Sequence, residues 1–188
     1  SADSVTAIGN DAATNVTSGG FSTVVGAGAY FTNSTGTNNT AVGRFSLRSS
    51  TGSNNVALGK DSGEALSSGS QNIIIGSNTG DQYPTTGSGN VLIGNNIDAD
   101  ATSSARTLKI AGYDGSTTTT WISGDGSGNL TFAGDVTVGD DLNLTTDSTV
   151  INFGADSDTT LTHTDGAGLT LNSTNKLMFN DASQFIQG

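Results

Sequence analysis

The chain has no cysteine, one proline, one methionine and one tryptophan in 188 residues, and only 12% of it is charged. Without cysteine there is no disulfide framework, no zinc-thiolate centre and no thiol nucleophile. Glutamate occurs once, at Glu64, and the remaining acidic residues are aspartates. Together with abundant Thr, Asn, Ser and Gly, this removes the residues that favour helix and supplies those that favour turns. No apolar run approaches the ~18 residues of a membrane-spanning helix. Only six residues are basic, for a formal charge of −11. Such a chain repels phosphate backbones and anionic lipid, which argues against nucleic acid or a membrane as partner. Leu, Ile, Val and Phe make up about a fifth of the chain, near the level at which charged chains stay disordered. Order must therefore come from pattern.

The pattern is a repeat. N-T-A-V-G (Asn39 to Gly43) recurs as N-V-A-L-G ending at Gly59, N-I-I-I-G ending at Gly76 and N-V-L-I-G ending at Gly94. Looser copies end at Gly9 and Gly26, and the six closing glycines are spaced by 17, 17, 16, 17 and 18 residues. A fixed period of this size signals stacked coils. The residues before each closing glycine are apolar and rich in β-branched types, so each phrase predicts a short strand. Seven residues before five of these glycines lies another, at Gly19, Gly36, Gly52, Gly69 and Gly87. Glycine and asparagine there are expected to supply the positive φ of a tight corner. One such strand cannot bury its own apolar face; stacking the next coil at about 4.8 Å does so. Asn39, Asn55, Asn72 and Asn90 are then expected to form a ladder, each amide pairing with those above and below.

Three regions follow. Residues 1–97 are the coil stack, and residues 98–128 form a transition segment. In the latter, L-K-I-A-G (Leu108 to Gly112) reads as a degenerate seventh coil with Leu108 in place of the asparagine. Trp121 is expected to cap the last coil, with carbohydrate stacking as the rival role. Residues 129–188 change grammar. Apolar dyads two apart, Leu130/Phe132, Val136/Val138, Leu142/Leu144, Ile151/Phe153, Leu161/His163, Leu169/Leu171, Leu177/Phe179 and Phe185/Gln187, alternate with polar turns. They recur at six-residue and then eight-residue spacing. Residues i and i+2 share one side of a strand. Two inward side chains per strand are too few for a single-chain core, so identical chains are expected to wrap around a common axis. The opening at Ser1 and the end in mid-pattern suggest an excised part of a longer chain.

The x-A-[VI]-G coils with their T-G-x-N-N corners resemble the head repeats of trimeric autotransporter adhesins, which also occur in bacteriophage tail fibres. The resemblance covers about residues 3–97, with a longer coil in this chain. The stretch L-T-F-A-G-D-V-T-V-G-D-D-L-N-L through L-N-S-T-N-K-L-M-F looks like the shaft repeats of marine phage tail fibres, and its spacing is similar to that of triple-stranded phage needles. The resemblance implies an all-β, elongated fibrous homotrimer: a parallel β-roll or β-solenoid followed by a triple-stranded β-helix or β-prism shaft. It further implies a non-enzymatic virion part outside the host cell, joined to other fibre proteins and contacting a host receptor or glycan. Rival functions are a self-assembling extracellular filament, a bacterial surface adhesin, a polysaccharide-degrading tailspike and, through Thr6, Thr23 and Thr40, ice binding.

Among candidate sites, His163 is the sole histidine. It lies near Ser157, Asp158 and Asp165, but no G-x-S-x-G elbow accompanies it. Three copies meeting on a threefold axis would hold a metal or anion, since imidazole is a common ligand; a buried histidine bonded to backbone or water is the plainer alternative. Asp98-x-Asp100, Asp125-Gly-Ser-Gly-Asn129 and Asp156-x-Asp158 offer oxygens to calcium, yet none has a full ligand set, and Asp-Gly turns explain them more simply. No other cofactor is indicated. Gly9, Gly26, Gly43, Gly59, Gly76, Gly94 and the four asparagines are read as structural.

Overall fold

A computed structural model describes residues 4–32, 35–83, 85–139, 142–144, 150–153, 159–164 and 168–171. Among these there is no helix; the chain is all-β and forms a parallel β-solenoid. It divides into two compact units, Ser1–Val136 and Thr137–Gly188.

In the first unit each closing phrase forms a three-residue strand: β1 (Thr6–Ile8), β2 (Thr23–Val25), β3 (Thr40–Val42), β4 (Val56–Leu58), β5 (Ile73–Ile75) and β6 (Val91–Ile93). Neighbours pair in parallel, one coil apart and in register, so that Ala7, Val24, Ala41, Ala57, Ile74 and Leu92 stack in line. The same parallel ladder takes in β7 (Leu108–Tyr113), so L-K-I-A-G is a seventh rung. The sheet therefore runs on past residue 97. After β7 the chain reverses, and β8 (Thr118–Gly124) and β9 (Leu130–Phe132) complete nine strands by antiparallel pairing.

The middle residue of each strand points into the coil and the flanking two point out, as the two-residue period requires. Val24, Ala41, Ala57, Ile74 and Leu92 are fully buried. Return segments add Ala29, Tyr30, Leu47 and Leu66 to the same core, and Ile97, Ala99 and Ala111 surround Leu92. Bulk is traded between the two walls. Where the strand offers Ala41 or Ala57, the return segment supplies Tyr30 or Leu47; where the strand offers Ile74, Gly63 and Gly80 lie against its side chain. The interior thus stays filled at near-constant cross-section, as close packing demands. At the seventh rung the inward slot holds Lys109, whose ammonium donates to the Asp98 carbonyl (2.8 Å) and the Asp100 carboxylate (2.7 Å).

Three expectations need correction. Trp121 does not plug the stack: it is 56% exposed on β8 and lies against Gly112, where a Cβ would overlap the indole. It is the extra residue at a register shift opposite Ile110 and Ala111, and such bulges re-aim a side chain. The corner glycines do not supply the positive φ. That conformation falls on the residue before each ladder asparagine, Asn38, Asn54, Gln71 and Gly89, so asparagine supplies it in two corners as expected and Gly89 in a third. Gly19, Gly52 and Gly69 are needed instead because a Cβ would strike the carbonyl of the next coil. Finally, the dyads do not all become strands. Leu130/Phe132 lie on β9, whereas Val136, Val138, Leu142 and Leu144 are 45–66% exposed and outside any strand.

In the second unit β10 (Val150–Phe153), β11 (Thr159–Thr164) and β12 (Gly168–Leu171) form an antiparallel sheet. Ile151 pairs with Leu161 and Leu161 with Leu171. The dyads Leu177/Phe179 and Phe185/Gln187 lie outside the described residues.

Candidate functional site

The asparagine column is the most complete polar structure in the coil stack. Asn39, Asn55, Asn72 and Asn90 are at most 1% exposed. The Asn39 Oδ1 accepts the backbone N–H of Asn55 (2.8 Å) and its side-chain amide (3.2 Å). Asn55 serves Asn72 in the same way (3.0 and 3.1 Å), and Asn72 serves Asn90 (2.9 and 3.0 Å). The second amide hydrogen of Asn39, Asn55 and Asn72 goes to the carbonyl of the next corner glycine, Gly52, Gly69 or Gly87. The column ends on Thr107, whose N–H and hydroxyl both reach the Asn90 Oδ1. Every hydrogen-bonding position of these amides is thereby used, which is what burial requires. The column is structural, with no donor or acceptor to spare for a ligand.

A second column runs beside it. The hydroxyl of Ser53 accepts the N–H of Thr37, Ser70 that of Ser53, and Ser88 that of Ser70, each at 3.0 Å. The sequence carries the signal, since Ser or Thr follows the corner glycine in four successive coils. The closing glycines form a third. Gly43 and Gly59 sit at φ +135° and +136°, and a Cβ on either would overlap the carbonyl of the closing glycine above it.

The acidic motifs are engaged within the protein, Asp98 by the preceding coil and Asp114 and Asp125 by their own loops. The Asp98 carboxylate accepts the N–H groups of Gln82 and Tyr83, both at 3.1 Å. Asp125 accepts the Asn129 amide at 2.8 Å and the N–H groups of Asn129 and Ser127. Those bonds, the Asn129 amide first, lower its pKa. Asp114 is lowered likewise by the N–H groups of Thr117 and Ser116. Asp81 is shifted the other way, raised first by burial and then by the charge of Asp98. Asp156 and Asp158 lie outside the described residues. His163 is on β11, paired with Leu169 on β12, and its side chain lies outside the described ones, as does the axial ion expected there.

Two surfaces remain. The first is the outward side of the nine-stranded sheet. One column reads Thr6, Thr23, Thr40, Val56, Ile73, Val91, Leu108, and the other reads Ile8, Val25, Val42, Leu58, Ile75, Ile93, Ile110, Ile122, Phe132. Ile8 is 62% exposed and Phe132 47%. No charged residue interrupts either column.

The second is a cleft of about 320 Å³ beyond the closing-glycine corners, on the return segments of the first three coils. Its centre is Phe45, with the Arg44 guanidinium 3.9 Å and that of Arg48 4.7 Å from the ring centroid. The ring lies against Gly28, which leaves room for it by having no Cβ. Phe31, Asn10 and Asp11 complete the walls. Sequence reasoning missed this cleft, although three of the six basic residues fall within 44–60. Comparison with protein-family models, curated proteins and solved structures finds no match to this chain.

Proposed function

We propose that this chain is a segment of a trimeric bacteriophage tail fibre, a rigid coil stack and shaft that spaces and presents a host-attachment surface. The observation that carries the proposal is the uncovered apolar side of the sheet. One uncharged column runs through seven strands, apolar from Val56 on, and an apolar one runs through all nine. Each Val, Ile or Leu so placed gains roughly 1.5–3 kcal/mol when fully covered. A contiguous patch of this extent marks an interaction surface rather than a solvated face.

Three identical chains side by side in parallel around one axis cover such a face on each of them in a closed arrangement. Rigidity follows from the coil-to-coil ladders, in which backbone, asparagine and serine columns all run along one axis. The −11 charge keeps a fibre with so little surface lysine soluble.

The test is mass in solution by sedimentation, with Leu58→Glu as the perturbation. Wild type is expected at three chain masses and resistant to SDS until heated; Leu58→Glu is expected as a monomer that keeps its β circular dichroism. A wild-type monomer at about 10 µM would remove the proposal. Open-ended filaments would replace it with the polymer alternative.

A further inference from the structure

We propose that the Arg44–Phe45–Arg48 cleft is a binding site for a carboxylated sugar unit of a surface glycan or polysaccharide. The inference rests on the attachment role just proposed and gives it a ligand class. Arg44 and Arg48 are each about half exposed, and both guanidinium groups lie over the ring of Phe45, 3.9 and 4.7 Å from its centroid. Stacking on an aromatic ring leaves the N–H donors of a guanidinium, which lie in its plane, free to point outward.

Few of those donors are used within the protein. Arg48 gives one bond to Glu64 at 3.1 Å. Arg44 meets Asp61 only at 3.8 Å, too far for a hydrogen bond, and Asp61 is engaged by Lys60. A guanidinium held on an aromatic ring with spare donors fits a carboxylate, which accepts in pairs, and this ring holds two. The other walls fit the rest of a sugar. Phe31 offers an apolar surface to the C–H side of a pyranose, and Asn10 and Asp11, bonded to each other, present amide and carboxylate groups to ring hydroxyls. The cleft is of the size that holds one ring. None of the outward-column residues lines it, so covering that side of the sheet leaves the cleft open. Arg48→Gln and Arg44→Gln remove exposed ion pairs and the stacking on Phe45, both of which contribute little to folding at half-exposed positions.

The experiment is calorimetric titration of the intact chain with tetragalacturonate and with sialyllactose, against maltotetraose as the neutral control and sodium acetate as the bare anion. Saturable binding of at least one acidic oligosaccharide is expected, weakened by added salt. The double change Arg44→Gln, Arg48→Gln should lower affinity about tenfold or more; Arg44→Lys should retain part of it, keeping the charge and losing the paired donors. A preference of about tenfold or more over maltotetraose is expected as well. Equal binding of the neutral sugar, competition by acetate at equal concentration, or affinity unchanged in the double variant overturns the inference. Sedimentation of the same samples separates the two proposals. A trimer without saturable acidic-sugar binding removes this site and leaves the fibre; binding by a monomer does the reverse.

Discussion

Truncating Asn55 to alanine tests whether the amide column holds the coils together. The Asn55 side chain makes four hydrogen bonds: two donated, to the Asn39 Oδ1 (3.2 Å) and the Gly69 carbonyl (3.1 Å), and two accepted, from the N–H (3.0 Å) and amide (3.1 Å) of Asn72. After truncation the Asn39 oxygen still accepts the Asn55 N–H, and the Asn72 amide still reaches the Gly87 carbonyl. The Asn72 N–H and the Gly69 carbonyl lose the bonds that the side chain gave them. Each buried backbone group left unpaired costs about 1–3 kcal/mol, so the loss should lie at about 2–6 kcal/mol. Thr32→Ala is the control. It removes one exposed coil-to-coil bond, to the Arg48 carbonyl at 3.0 Å, which water replaces at a cost of about 0.5 kcal/mol or less. Asn55→Asp sharpens the test: its shape is preserved, but an anion faces the acceptors of Asn39 and Gly69. Its deficit should shrink as pH falls and the carboxyl takes up a proton. The assay is equilibrium urea unfolding followed by far-ultraviolet circular dichroism at one fixed protein concentration. If Asn55→Ala and Thr32→Ala differ by less than about 1 kcal/mol, the column does not carry the stability assigned to it here.

Gly59→Ala places a Cβ against the Gly76 carbonyl in a left-handed backbone; it should lower the melting temperature far more than Gly134→Ala, whose backbone is not left-handed and whose Cβ meets nothing within 4 Å. Comparable shifts for the two would mean that coil spacing yields easily. Asp81 has its pKa raised by burial and by Asp98. The folded state therefore binds this proton more tightly than the unfolded one, and the contribution to stability falls as pH rises through the window between the two pKa values. Asp81→Asn should accordingly raise the melting temperature at pH 7 but not at about pH 3; an equal rise at both would assign the effect to something other than charge.

The coil stack was legible because its signals repeat. The closing glycines, the two apolar residues before them and the ladder asparagines all occupy slots where each coil touches its neighbour, so the same steric and hydrogen-bonding demand returns every turn. Even so, alternation along three residues had to be resolved by the structure. The sequence shows two apolar residues per strand, but only the middle one, such as Ala57 or Ile74, enters the core, while Leu58 and Ile75 face out. The corner was half legible. Asn38 and Asn54 do take positive φ, whereas Gly52 serves close approach, a demand visible only once the next coil is in place. Trp121 was misplaced because a bulge shifts register without a sequence mark. The Arg–Phe cleft was missed because its residues come from three coils and share no repeat; the local run R-F-S-L-R in an acidic chain was the available clue.

These outcomes have one physical source. In the first five coils, the slots one, two and five residues after the closing glycine lie outside the glycine, asparagine and serine columns, and their chemistry differs from coil to coil. They hold Asn10, Asp11 and Thr14 in the first coil, Ala27, Gly28 and Phe31 in the second, and Arg44, Phe45 and Arg48 in the third. The next two coils hold Lys60, Asp61 and Glu64, then Ser77, Asn78 and Asp81. The second slot is left-handed in every one of these coils, from Asp11 at φ +55° to Asn78 at +54°. A constant backbone thus presents a different chemistry at each level. Moving along the stack, the surface passes from amide and carboxylate, through aromatic and guanidinium, to carboxylate again. Because the inner columns carry the coil-to-coil bonds, the chemistry in these slots can differ from one level to the next. Stability therefore resides where the repeat holds, while the surface varies where it breaks.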